Sequence, residues 1–290
     1  MEFVQIPAGA FRYGYRPGFN LGDPPDQEDH IVWHSKAYYL QTTEVTQGQW
    51  QAVMGTTVPE LCRALPYPTA CNFATAMGDR YPIHYVTVSQ IGEFIQRLSE
   101  REKLKYRLPT RPEWEKAALA GQWRVSYWWG NDPDKTVLYE NCAVAGDAPP
   151  WLPWLPHDGY AGLAPVASFR PNPWGFYDML GNVAELTIHA STLWSGMIPN
   201  PAEQFTNDPS GYIAFYTDFP HEWLPNYHYR YVVGGDYLRQ SYHCNFSAGG
   251  GRLELEEYES QIATIASSTV GFRLLLEADS LQTKLQPQQP

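Results

Sequence analysis

Asp178, Gly181, Asn182 and Glu185 stand in PVASFRPNPWGFYDMLGNVAELT, residues 165–187, among Trp174, Phe176, Tyr177, Met179, Leu180, Val183 and Leu186. Two carboxylates and a carboxamide this close together are hard oxygen donors, the ligand type a hard cation takes. The apolar positions keep neither a helical nor a strand period, so the segment reads as a buried irregular loop. Such a loop must satisfy its carbonyls and carboxylates, because an unpaired polar group away from water costs roughly 1–3 kcal/mol. A bound cation would satisfy them.

The other chemistry-bearing side chains are sparser. Cys62, Cys71, Cys142 and Cys244 form no CxxC pair and no Cys/His zinc spacing, so each is expected as a buried or loop thiol. Cys62 and Cys71 could close a small disulfide loop in an oxidising compartment, but that is the lesser expectation in a chain whose N-terminus runs straight into EFVQIPAG without a leader-like segment. A formal charge of -11 and a pI near 5.1, with no basic cluster, argue against nucleic acid as a partner. No apolar run is long enough to span a bilayer, so no membrane insertion is expected and a soluble, cytoplasmic protein is.

Several elements must position these groups. Phe3 to Tyr13 reads as strand and turn, broken at Pro7 to Gly9, and Val32 to Leu40 reads as extended. Thr46 with Gln49 opens a helix, Ser89 is expected to cap a second carrying Ile91, Phe94, Ile95 and Leu98, and Thr110 with Glu113 and Pro112 opens a third that Gly121 stops. Gly55 to Arg80 is expected as a long loop, and no long helix is expected after Gly121. Aromatic content of 15% with 23 Gly and 25 Pro fits many shaped, ordered loops.

Seven ordered blocks, IPAGAFRYG, EVTQGQW, RLPTRPEWEKAALAG, YWWGN, PVASFRPNPWGFYDMLGNVAELT, VVGGDY and VGFRL, resemble those of the formylglycine-generating enzyme or sulfatase-modifying-factor domain. The resemblance spans Ile6 to Leu275. It implies an α+β fold of the C-type-lectin-like kind, with a small twisted antiparallel sheet, few helices and much ordered loop. One domain over residues 1–279 and a flexible tail over 280–290 are expected.

The resemblance also implies structural calcium. A first set would comprise the Asp178 and Glu185 side chains with the Gly181 and Val183 carbonyls. A second would comprise the Asn141 and Asp158 side chains with the Cys142 and Tyr160 carbonyls. The plain alternative is that these side chains cap turns.

Catalysis is where the chain departs from its relatives. The formylglycine-generating enzymes hold copper(I) between two cysteine thiolates in the block GGDYLRQSYHCNFSAGGGR; here the second slot is Cys244 and the first is Arg239. Arginine cannot lose its proton to become a ligand, so copper is not an expected cofactor. Relatives with a histidine-rich iron site are not matched either, since His221, His228 and His243 are scattered.

A fold kept without its ligands implies a binding protein, for a protein or small-molecule ligand. Asp236, Tyr237, Arg239, Ser241, Tyr242, His243, Asn245 and Phe246 lie in the loop that this fold presents, a composition similar to a paratope. Family members include the variable proteins of diversity-generating retroelements, in which this segment is randomised through adenine-directed change. Most residues from Asp236 to Phe246 and Ala263 to Val270 are reachable that way; Glu254, Glu256, Glu257, Glu259 and Gln261 are not. The aromatic stretch Ile188 to Tyr229 looks like an insertion that could wall the same surface. The alternatives are a copper- and oxygen-dependent oxidase of a peptide cysteine, in which Cys244 would be catalytic, and a scaffold subunit of a larger assembly.

Overall fold

Strands β1 (Phe3–Ile6) and β2 (Gly9–Tyr13) are separated by a short turn at Gly9, whose φ of +122° an L side chain rarely adopts. This computed structural model describes residues 1–13, 30–65, 71, 76–122, 125–142, 158–188, 214–216, 230–236, 244, 252–253 and 269–285. Strands β3 (His30–His34) and β4 (Tyr38–Gln41) follow, then helix α1 (Gln47–Met54). Thr46 caps α1 as expected: its hydroxyl accepts from the Gln49 amide while Gln49 Oε1 accepts from the Thr46 amide, and Gly55 at φ +74° closes the end.

The expected loop after Gly55 contains a short helix, α2 (Val58–Arg63), opened by Thr57 and Glu60. Six residues are too few to show a period, which is why the helix is hidden in the sequence. Helix α3 (Val88–Glu102) buries Ile91, Phe94 and Leu98, but Thr87 caps it where Ser89 was expected. Thr87 has Gln90 three residues on to complete the reciprocal pair, whereas Ser89 has Gly92.

Strand β5 (Tyr106–Arg107) leads into helix α4 (Arg111–Leu119), whose Thr110–Glu113 capping box holds as read. The helix stops on two left-handed residues, Ala120 at φ +47° and Gly121 at φ +81°. Residues 158–183 then carry neither helix nor strand.

The remaining strands are β6 (Ala184–Ile188), β7 (Ala214–Tyr216), β8 (Arg230–Val233), β9 (Arg252–Leu253), β10 (Val270–Gly271) and β11 (Leu275–Glu277). Helix α5 (Ala278–Leu285) follows, so the part of the expected tail from Ser280 to Leu285 is ordered instead. Ser280 is buried, Leu281 packs on the core, and Lys284 Nζ donates to the Glu102 carbonyl at 2.8 Å.

Among the described residues the strands form small sheets in the orders β1-β4-β11-β5, β10-β6-β8-β9 and β2-β3-β7. Pairing is antiparallel except for β10 with β6 and β3 with β7. The fold is the mixed, helix-poor one expected. Phe215 and Tyr216, read as part of a wall for the presented surface, sit in β7 beside Val32 and Trp33.

Strand β11 lies between β4 and β5, so the two ends of the described chain meet in one sheet. One core stacks Trp50 on Phe94, ring centroids 5.2 Å apart, with Phe272 edge-on to both. A second gathers Trp114, Phe176, Met179 and Leu180 with Ile6 and Leu40. Arg273, between Phe272 and Leu274, is fully buried.

Candidate functional site

The loop entering β6 is shaped by two left-handed residues, Asp178 at φ +55° and Asn182 at φ +62°, a conformation that Asn and Asp tolerate better than other non-glycine residues. Asn182 is fully buried and its amide is fully used. Oδ1 accepts from Asn141 Nδ2 (3.0 Å) and the Ala164 amide (2.9 Å), while Nδ2 donates to Glu44 Oε1 (3.1 Å) and the Ala164 carbonyl (3.3 Å). Between them, Gly181 lies so close to the next loop that a Cβ would meet the Asn141 carbonyl oxygen at 2.5 Å and Cys142 Sγ at 2.7 Å. Only glycine fits there.

Glu185, on β6, faces Arg273. Its Oε1 accepts from Arg273 Nη2 at 2.6 Å, and its Oε2 accepts from Arg273 Nε at 2.7 Å and Trp114 Nε1 at 2.9 Å. The guanidinium also donates to the carbonyls of Gln41, Thr42, Tyr177 and Asp178. The buried cation is thereby neutralised and its five N–H groups are satisfied, which is what a charge out of water requires.

Beside this pair lie three acids that form no ion pair among the described residues. Asp178 Oδ2 accepts from the Ala167 amide at 2.7 Å, Glu44 Oε1 from Asn182, and Glu140 Oε1 from Trp128 Nε1 at 3.0 Å. Among the described residues no donor reaches Asp178 Oδ1, Glu44 Oε2 or Glu140 Oε2 within hydrogen-bonding geometry, although the Glu44 carboxyl lies against Asp178 and the Leu180 backbone against Glu140, and all three residues are at most 1% exposed. Burial, and for Glu44 and Glu140 also the neighbouring Asp178 carboxylate, holds their pKa values up: Asp178 at about 6, Glu140 at about 8, and Glu44 well above the ordinary range.

Orphaned, fully buried carboxylate oxygens are the donors that a hard cation would satisfy, so the first expected calcium set fits at Asp178. At Glu185 it fits less well: Oε2 carries two donors already, and only a remaining lone pair on Oε1 is open. Among the described residues no three His, Cys, Asp or Glu side chains form a cage, so a cation here would also draw on main-chain carbonyls, as those of Gly181 and Val183 were expected to supply.

In the second expected set the side-chain oxygens are Asn141 Oδ1 and those of Asp158. Asn141 is buried and its Nδ2 is spent on Gly162 and Asn182, while Asp158 Oδ1 accepts from the Tyr160 amide at 2.9 Å, closing its own turn. Cys142 is buried and Tyr160 is exposed.

The expected binding loop is described only at its supports. Tyr237, Arg239, Ser241, Tyr242, His243, Asn245 and Phe246 lie outside the described residues. Asp236, expected on the surface, is buried and so belongs to the loop's root. Gly234 at φ +90° would place a Cβ 2.9 Å from the Met179 carbonyl oxygen and 3.2 Å from the Trp114 ring, so the turn is pressed onto the acid-bearing loop. Cys244 is joined to Cys142, Cα atoms 6.5 Å apart, and Cys62 to Cys71 at 6.0 Å. The free-thiol expectation is thus corrected at every cysteine. Spacing alone misses the long-range pair because it closes 102 residues of sequence.

Glu44, Glu140 and Arg273 were absent from the sequence-based site. The available signal was Arg273 itself, one cation in the apolar run GFRLLL, which demands a buried acid.

A family model described as the sulfatase-modifying factor enzyme 1-like domain matches residues 1–278. The inactive C-alpha-formylglycine-generating enzyme 2 of Mus musculus is 43% identical over 84 residues, 28% of this chain and 25% of its own length. The formylglycine-generating enzyme of Streptomyces coelicolor is 30% identical over 181 residues, 60% of this chain and 47% of its own. The chain therefore matches less than half the length of either relative. Among solved structures, Treponema denticola variable protein 1 superposes with a TM-score of 0.63 at 20% identity, over 95% of this chain and 94% of that one. PvdO from Pseudomonas aeruginosa does so at 0.57 and 21%, over 95% and 94%.

Proposed function

The chain belongs to the sulfatase-modifying factor enzyme 1-like domain family, and on that premise we propose that it is a non-catalytic member that binds a ligand through the loop following Gly235. The observation that carries this reading is the state of the sulfur in the second copper slot. Cys244 is bonded to Cys142, and position 239 is an arginine, so neither slot offers a thiolate to a soft cation. The residues on either side of the loop support this reading. The Gly234 turn, the Cys142–Cys244 bond and the β10 strand fix the loop at its start, within it and after its end. A binding loop tethered at such points would lose less entropy on ordering.

The likeness to Treponema denticola variable protein 1 supports the more specific form of the reading, a variable protein whose loop is diversified by a retroelement. Structural calcium would be held by Asp178 and Glu44 with nearby main-chain carbonyls. It would supply the positive charge that the buried acids lack.

A mass-spectrometric assay of a cysteine-containing peptide, with copper(I) and oxygen, tests the reading. No conversion to formylglycine is expected. Turnover that Cys244→Ser abolishes would restore the oxidase. For the more specific form, the neighbouring DNA should hold a reverse transcriptase gene with a near-copy of the region encoding Asp236 to Val270.

A further inference from the structure

Away from that loop, where the end of α4 meets β2 and the turn at Trp174, lies a cavity of about 310 Å³. Its walls are Ala10, Phe11, Leu119, Gly121 and the Trp174 ring, with Lys116 as the charged group. The walls are held in place. Asn172 Oδ1 accepts from the Trp174 amide at 3.0 Å, and Asn172 Nδ2 donates to the Ala117 carbonyl at 2.8 Å, tying the tryptophan turn to the helix. The tryptophan ring passes 3.6 Å from where a Cβ of Gly121 would stand.

Lys116 is 4% exposed, and Nζ donates to the Pro7 carbonyl at 2.8 Å and the Gly9 carbonyl at 3.1 Å. Both partners are neutral, and an ammonium has a third N–H to give. The nearby acid, Glu113, is already held by Arg107 through bonds of 2.6 and 2.7 Å. His34, also close, adds no negative charge. Among the described residues no carboxylate pairs with this ammonium, an exception among buried charges, which are ordinarily paired. Burial accordingly lowers the Lys116 pKa to about 8.

We propose that this cavity is a binding site for a small organic carboxylate with an aromatic or aliphatic body, its carboxylate paired with Lys116 Nζ and its body against Phe11, Leu119 and Trp174. The volume lies at the low end for small-molecule pockets and suits a single ring with a short acidic arm. If Lys116 only stapled the Pro7–Gly9 turn, the cavity beside it would show no preference for charge.

Isothermal titration calorimetry of the full chain with sodium phenylacetate and with phenylacetamide tests this. Phenylacetate should bind at least ten-fold more tightly than the amide. Leu119→Trp, which fills the cavity without removing the amine, should abolish binding of both. Lys116→Met should erase the preference for the acid, and if that variant fails to fold, Leu119→Trp still decides the matter. Equal affinity for acid and amide, no binding of either, or phenylacetate binding unchanged in Leu119→Trp would each overturn the proposal.

Discussion

Glu185→Gln is the substitution that most directly separates the two roles open to this carboxylate. It keeps the shape of the side chain but replaces an anion by a neutral amide whose NH₂ must face either the guanidinium or the indole. Arg273 is fully buried and Glu185 is 1% exposed, so water cannot compensate the arginine once the anion is gone. Breaking a buried pair by neutralising one partner costs about 3–5 kcal/mol. Arg273 keeps its four carbonyl acceptors, which places the loss near the lower bound, about 3 kcal/mol. At about 2 °C per kcal/mol for a chain of this size, the melting temperature should fall by about 6 °C. The assay is thermal unfolding of wild type and variant, each in chelator and in excess calcium. A pairing role predicts the same drop in both buffers. A drop seen only with calcium, with the two proteins melting together in chelator, would refute the pairing account and make Glu185 a metal ligand first.

Chelation should lower the wild-type melting temperature, since a ligand that binds only the folded state at about 100-fold saturation adds about 2.7 kcal/mol. Asp178→Ala should remove that response, and elemental analysis should detect calcium in the wild type but not in the variant; an identical metal content in both would count against Asp178 as a ligand. His34 should govern part of the acid sensitivity. Burial lowers its pKa from 6.5 to about 4, so the unfolded chain takes up the proton first, and stability present above pH 6.5 is lost as pH falls toward 4. The loss amounts to about 3 kcal/mol. His34→Phe, which preserves a ring between Phe11 and Tyr38, should narrow the difference in melting temperature between pH 7 and pH 4.5; an unchanged difference would assign the acid sensitivity elsewhere.

The sequence made some of this architecture legible because local rules sufficed. Thr46 and Thr110 announce their helices through residues three positions away, and both capping boxes form. Ser89 misled because cap chemistry was read without its reciprocal partner, which Thr87 has in Gln90 and Ser89 lacks. The site was legible at Asp178 and Asn182, polar residues trapped in an apolar loop, but not at Glu44 or Glu140. These reach the same interior from more than thirty residues away, and only the fold brings them together. Glu185 was read as an oxygen donor for a cation, and the cation it meets is Arg273, 88 residues on.

The same long-range logic links the acids to the loop above them. Asn141 reaches under the acid-bearing loop to Asn182, and its neighbour Cys142 is bonded to Cys244 in the segment that follows Gly235. Gly181 lets that strand of contacts pass, and Gly234 presses onto Met179 from the other side. The acid-bearing loop and the segment after Gly235 are thus tied together through Asn141, Cys142 and the Cys142–Cys244 bond. A sulfur that carries the loop cannot also carry copper. Within the segment that follows Gly235, Asp236 and Cys244 are buried and β9 is paired with β8, so these positions belong to the frame, and any variation that the proposed binding surface tolerates must fall elsewhere in the segment. The frame also needs an environment that leaves the bond intact, and thiol–disulfide poise sets that environment more strongly than any feature of the acidic surface.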